Sequence, residues 1–181
     1  DWQRTWMDNF HPMQFGQRVW IIPSFAEAPE PEALNIYLDP GLAFGTGTHP
    51  TTALCLKWLD RQNLQDKVVI DYGCGSGILA LAAIKLGAKK VYAVDIDSQA
   101  LEATRANALK NNISEQQIIT SQPEALTNIT ADLLIANILS QPLIALARTF
   151  FQLLKSNGQV LLSGILVEQG EQIQQAYQSL F

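Results

Sequence analysis

Asp71-Tyr72-Gly73-Cys74-Gly75-Ser76-Gly77 joins a short apolar run, Val68–Asp71, to a stretch of helix formers, Ile78–Leu86, that Gly87 stops. Three alternating glycines exceed what a strand-to-helix turn requires, and they let the backbone approach a ligand closely. The helix that follows should offer unpaired N–H groups and a partial positive charge at its start. A dinucleotide fingerprint, G-x-G-x-x-G, would need its third glycine at position 78, where Ile78 stands; the third glycine is Gly77. Asp71 is awkward beside a pyrophosphate and suits a ligand carrying an ammonium group. The next apolar run, Val91–Asp95, ends in a carboxylate 22 residues past Gly73. That carboxylate can accept both hydroxyl hydrogens of a ribose. It points to a ribose-bearing ligand without choosing between a nicotinamide dinucleotide and another nucleoside.

The pattern then continues regularly. Ser98 is expected to cap a helix running to about Asn111, with Ala100, Leu101, Thr104 and Ala108 near one face. Ile118–Thr120 and Leu133–Ala136 read as strands, and Pro142 sits where a helix would start. Gln159–Ser163 is a fifth strand, followed by a Gln-rich helix near Glu168–Ser179. Strands alternating with helices predict an α/β fold: a doubly wound, mostly parallel sheet with helices on both faces. In that architecture the end of a central strand faces the ligand crevice, so Asn137 is a candidate site residue.

The N-terminal part reads differently. Residues 1–25 hold six of the fifteen aromatics, and Trp2, Trp6 and Phe10 would share one face of a helix. Residues 26–33 form an acidic, proline-containing turn, and Leu34, Ile36 and Leu38 alternate as a half-buried strand. Between Val19 and Leu56 lie Glu27, Glu30, Glu32 and Asp39 but no Lys or Arg, a solvated surface or a lure for a basic partner. Residues 39–52, Asp-Pro-Gly-Leu-Ala-Phe-Gly-Thr-Gly-Thr-His-Pro-Thr-Thr, combine an aromatic, a histidine and four hydroxyls just ahead of the glycine loop. Thr51 or Thr52 is the expected cap of the helix that follows. His49 either contacts substrate, as a base or otherwise, or helps fold the loop.

With 181 residues, 48% hydrophobic and only 16% charged, the chain can bury a large core. Its net charge of −5 argues against a general nucleic-acid binder. Cys55, Cys74, His11 and His49 offer no metal-ligand spacing. No basic–apolar leader or membrane-length apolar run is seen, so a soluble, cytoplasmic, metal-free domain is expected.

The D-x-G-x-G-x-G string is similar to the first motif of the Rossmann-like methyltransferases that use S-adenosylmethionine, whose loop wraps the methionine end of that cofactor. Amino-group methyltransferases of this fold often carry Asn or Asp, then Pro-Pro-aromatic, after the fourth strand. Asn137 fits the first position; Ile138, Leu139 and Ser140 do not fit the rest. The missing aromatic speaks against a nucleobase or a glutamine amide and suits an aliphatic amine. The Phe44–Thr52 string (Phe-Gly-Thr-Gly-Thr-His-Pro-Thr-Thr), with Asn137-Ile138-Leu139 and Ser163-Gly164-Ile165-Leu166, closely resembles the methyltransferases of ribosomal protein L11. The opening Asp1-Trp2-Gln3-Arg4, with Trp6-Met7 and Asn9-Phe10, looks like that family's linker.

The resemblance implies methyl transfer from S-adenosylmethionine to lysine and N-terminal amino groups of L11. It implies cofactor contacts at Thr52, Gly73, Asp95 and Asn137, with Phe44 and Gly75 added from the same motifs, and names no catalytic base. It makes residues 1–25 a linker and 26–181 a methyltransferase domain, truncated at both ends relative to the family and lacking the last strands. The alternatives are another substrate for the same fold, a cofactor-binding core inactive without its recognition domain, and a nicotinamide-dependent oxidoreductase.

Overall fold

In a computed structural model, residues 11–38 and 49–181 are described. Two sheets organise them. The small one contains β1 (Met13–Phe15), β2 (Val19–Ile22) and β3 (Leu34–Tyr37), with β1 antiparallel and β3 parallel to β2. The large one contains five parallel strands in the order β6-β5-β4-β7-β8: β4 (Val68–Tyr72), β5 (Lys90–Val94), β6 (Ile118–Ser121), β7 (Ala131–Asn137) and β8 (Leu154–Ser163). The helices are α1 (Pro50–Asp60), α2 (Ile78–Lys85), α3 (Ser98–Lys110), α4 (Ser140–Gln152) and α5 (Gly170–Gln178).

Both faces of the large sheet are buried, as an all-parallel sheet requires. Val69, Val91, Ala93, Leu133 and Ile135 pack with α1, α2, α3 and the small sheet. Ile70, Val94, Leu134 and Ala136 face the other way, against Leu143, Ala147 and Phe150 of α4 and Ile173 and Tyr177 of α5. This is the doubly wound α/β architecture that the sequence pattern predicts. The chain leaves β4 for β5 on one side and returns to β7 on the other, so strand order reverses between β4 and β7. Ligands of such sheets bind outside the carboxyl ends of the strands at that reversal.

Several local expectations are corrected. The small sheet extends from Met13 and crosses the expected division at residues 25 and 26, because β2 pairs with β3. Phe15, Val19 and Ile21 are buried in the same core as the large sheet. Asp97, not Ser98, caps α3, its Oδ1 accepting from Gln99 N at 2.9 Å. His49, not Thr51 or Thr52, precedes α1 as its cap, with Pro50 in the first turn. β8 starts at Leu154, and its regular pairing with β7 resumes only at Gln159 after an irregularity. The C-terminal helix is a short turn, Val167–Gln169, followed by α5. The Trp2–Trp6–Phe10 stripe lies outside the described residues.

Candidate functional site

The glycine loop folds over the carboxyl end of β5. Gly73 N and Cys74 N both donate to Val94 O, at 2.7 and 3.0 Å, and Gly77 N donates to Cys74 O at 2.8 Å. Gly73 has φ 80°, and a Cβ there would lie 2.3 Å from Cγ2 of Ile138, so the loop touches the segment after β7 without room for a side chain. Asp95 holds the loop from the β5 side. Its Oδ2 accepts from Gly75 N and its Oδ1 from Asp97 N, both at 3.0 Å.

The start of α2 differs from expectation. Ala80 N is taken by Asp71 Oδ2 at 3.1 Å, and Ile78 N points to Ser76 Oγ at 3.4 Å. Two N–H groups of the first turn are therefore taken within the chain. Asp71 is 1% exposed and lies beneath the loop, not in the crevice. Strand alternation explains this: Asp71 shares a face with Val69, toward α2. Burial pushes its carboxyl up to about 7, against the Ala80 N–H, with the Asp95 charge adding to the rise. Cys74, in the loop, is buried too, and its thiol is raised well above the ordinary range, chiefly by burial.

On the β7 side, Asn137 ends its strand beside the first turn of α1. Its Nδ2 donates to Thr52 Oγ1 at 3.1 Å, and Thr52 is 2% exposed. The Asn137 Oδ1 is buried with no hydrogen-bond partner. A buried acceptor left unpaired costs roughly 1–3 kcal/mol, so this atom calls for a donor from a ligand. His49 stands nearby in sequence but is committed elsewhere. Its Nδ1 accepts from Thr51 N at 3.3 Å and lies 2.7 Å from Thr51 Oγ1. The ring thereby caps the start of α1.

At the carboxyl ends of the strands the structure links Gly75 to Asp95, Gly73 to Ile138 after β7, and Asn137 to Thr52, while Phe44 lies outside the described residues. Two neighbours were not singled out as site residues from sequence. Ile96, 81% exposed, stands at the crevice lip beside Asp95. Ser163 is the Cα partner of Asn137 on β8. Of the acidic run, Glu30 and Glu32 line a cleft with Arg18, Lys85 and Gly87, at the opposite end of the sheet. Among the described residues no cluster of three or more His, Cys, Asp or Glu could hold a metal, and no helix is long and apolar enough to cross a membrane.

A five-stranded parallel sheet with a glycine loop after β4, an acid after β5 and an amide after β7 defines the Rossmann-like methyltransferase class. The profile of the ribosomal protein L11 methyltransferase (PrmA) family matches residues 1–181. The chain belongs to that family. It is 62% identical over 177 residues to a ribosomal protein L11 methyltransferase of Pseudomonas fluorescens, covering 98% of this chain and 61% of the relative. It is 59% identical to one of Legionella pneumophila, covering 100% of this chain and 62% of the relative. A crystal structure described as ribosomal protein L11 methylase, from Lactobacillus delbrueckii subsp. bulgaricus, superposes with a TM-score of 0.84 at 36% identity. The match covers 94% of this chain and 89% of that one. The chain spans about three-fifths of the length of these curated relatives.

Proposed function

We propose that this chain is the methyl-transferring part of an enzyme that moves methyl groups from S-adenosylmethionine to amino groups of ribosomal protein L11 in the cytoplasm. The observation that carries the reading is Asn137: its amide nitrogen is fixed by Thr52, and its amide oxygen is buried and unpaired. An amine N–H supplies the donor that oxygen lacks.

The residues present fit S-adenosylmethionine better than a dinucleotide. The loop N–H groups of Gly73, Cys74, Gly75 and Gly77 and the helix N–H groups of Ile78 and Ala80 all have partners within the chain. That leaves little for a pyrophosphate, which needs free donors at a helix start. Gly73 and Gly75 would border the methionine end, Asp95 the ribose hydroxyls, and Thr52 and Asn137 the reacting end. Ile96 offers apolar surface for a purine. Phe44 belongs to the same set by family resemblance. When bound, the cofactor supplies an activated methyl group beside a positive sulfonium.

The chain's own part is positioning and exclusion of water. Nitrogen attacks only through a free lone pair, and a lysine amine has an ordinary pKa near 10.4, so it must arrive deprotonated. Desolvation in the crevice favours the neutral amine. Asn137 Oδ1 accepts one N–H and thereby aims the lone pair. That lone pair would take the methyl carbon, the carbon–sulfur electrons staying on sulfur, and the extra proton on nitrogen would pass to solvent. No side chain among the described residues is required as a base.

Purified full-length protein, incubated with S-adenosylmethionine and L11, should add methyl groups to L11 amines, read by mass spectrometry. Transfer to another ribosomal protein with none to L11 would overturn the substrate. Binding of NADH with none of S-adenosylmethionine would overturn the cofactor.

A further inference from the structure

The end of β8 carries Ser163, followed by Gly164, neither of which the proposed reaction uses. Asn137 and Ser163 sit opposite each other in the parallel pair. Ser163 Oγ donates to the Thr51 carbonyl at 3.3 Å. Cys55 of α1 lies beside Ser163, and burial pushes its thiol up to about 11, with Ser163 lowering it. Thr51 and Cys55 both belong to α1, and so does Thr52, which accepts the Asn137 amide N–H. Three links therefore close on one another: β8 to α1 through Ser163, α1 to β7 through Thr52, and β7 to β8 through the sheet.

This closure sets the orientation of one amide. An asparagine offers a donor end and an acceptor end, and the two are related by a simple flip. With Nδ2 held by Thr52, Oδ1 is the end left without a partner. Gly164 borders that oxygen. It has φ 84°, and a Cβ there would lie 3.1 Å from Asn137 Oδ1 and 2.6 Å from the Ile138 carbonyl oxygen. Any side chain at 164 would take up space that a donor to Oδ1 needs and would part the two strand ends.

We infer that Ser163 and Gly164 are positioning residues for amine methylation. Ser163 seats the first turn of α1 so that Thr52 holds the Asn137 amide in place, and Gly164 preserves the room beside its oxygen. Both act on the amine through Asn137. The inference rests on Asn137 as the amine acceptor.

The test uses the full-length protein with L11 and S-adenosylmethionine, comparing Ser163→Ala, Ser163→Thr, Gly164→Ala and Asn137→Ala. The readouts are kcat and the Kd for S-adenosylhomocysteine. Misplacing a reacting group by a fraction of an ångström is expected to lower kcat about tenfold in Ser163→Ala and in Gly164→Ala, with Kd changed by less than about threefold. Ser163→Thr keeps the hydroxyl and should recover most of the loss. If Ser163→Ala keeps wild-type kcat, or Ser163→Thr falls as far as Ser163→Ala, the inference is overturned. It also fails if Kd weakens as much as kcat falls. Should Gly164→Ala not fold, the two Ser163 variants decide alone. If Asn137→Ala itself turns over normally, the amine-acceptor reading fails and the inference with it. If Asn137→Ala is impaired and both Ser163→Ala and Gly164→Ala are normal, only the positioning role is lost.

Discussion

The two ends of the large sheet each place an aspartate against a backbone N–H, with opposite results. At the amino end, Asp132 Oδ2 accepts from Val68 N at 2.8 Å, and Lys155 Nζ reaches both its oxygens at 2.9 and 3.0 Å. Burial pushes that carboxyl up, but the Val68 N–H, Lys155 and the Lys67 charge outweigh it, and Asp132 sits below the ordinary carboxylate range. At the carboxyl end, Asp71 accepts from Ala80 N, faces no cation and lies near the negative Asp95. It is pushed up to about 7. The amino end has matched its charges within the chain. The carboxyl end keeps a raised carboxyl, an amide oxygen without a partner and a loop without side-chain clearance, features of the kind that cluster at functional sites.

The largest contrast should appear in turnover. Asn137→Ala in the full-length enzyme is expected to lower kcat about 100-fold, the scale of removing one group aimed at a reacting centre. Asp132→Asn should leave kcat unchanged. Equal effects in a methyl-transfer assay would erase the difference between the two ends.

Next comes Gly73→Ala. A left-handed φ costs a non-glycine residue about 1–2 kcal/mol, and the Cβ would strike Ile138, so S-adenosylhomocysteine should bind about tenfold more weakly by calorimetry. Unchanged affinity would show that the loop does not border the ligand.

The pH dependence of stability sharpens the comparison further. Asp71 has a raised folded pKa, so its contribution is fully present below about pH 4 and declines as pH rises toward about 7, by about 4 kcal/mol. In chemical denaturation, Asp71→Asn should remove that decline. Asp132 has a lowered folded pKa, so its contribution is present above about pH 4 and is lost as pH falls below that. Asp132→Asn should cost about 1 kcal/mol at neutral pH and little in acid, because the pair is partly exposed. Identical pH profiles for the two variants would contradict the contrast.

Much of the large sheet was legible because its signals are local. Val68–Asp71, Val91–Asp95 and Leu133–Ala136 are apolar runs that end at or just before a polar residue, and β4, β5 and β7 form on them, with β5 stopping at Val94. The small sheet was only partly legible. Its strands are three and four residues long, and β2 pairs with β3 across an acidic turn, a contact no local window displays. At the site, Asn137 and Asp95 showed themselves as polar residues ending apolar runs. The partnership of Asn137 with Thr52 spans 85 positions, and only the fold brings them together. The inward turn of Asp71 carried a signal that went unused: it alternates with Ile70 and Tyr72, which packs it under α2 beside Val69. His49 looked like a reactive group because of its composition, while its backbone role depends on Pro50 starting the helix one residue later.

The central claim is that the crevice between β4 and β7 binds S-adenosylmethionine and presents an amine to Asn137 Oδ1. Its most direct test is single-turnover methyl transfer to L11 by the full-length protein saturated with S-adenosylmethionine, comparing wild type with Asn137→Ala. The account predicts methylated L11 amines from the wild type and transfer about 100-fold slower from a variant that still binds the cofactor. Transfer at the wild-type rate by Asn137→Ala would contradict it.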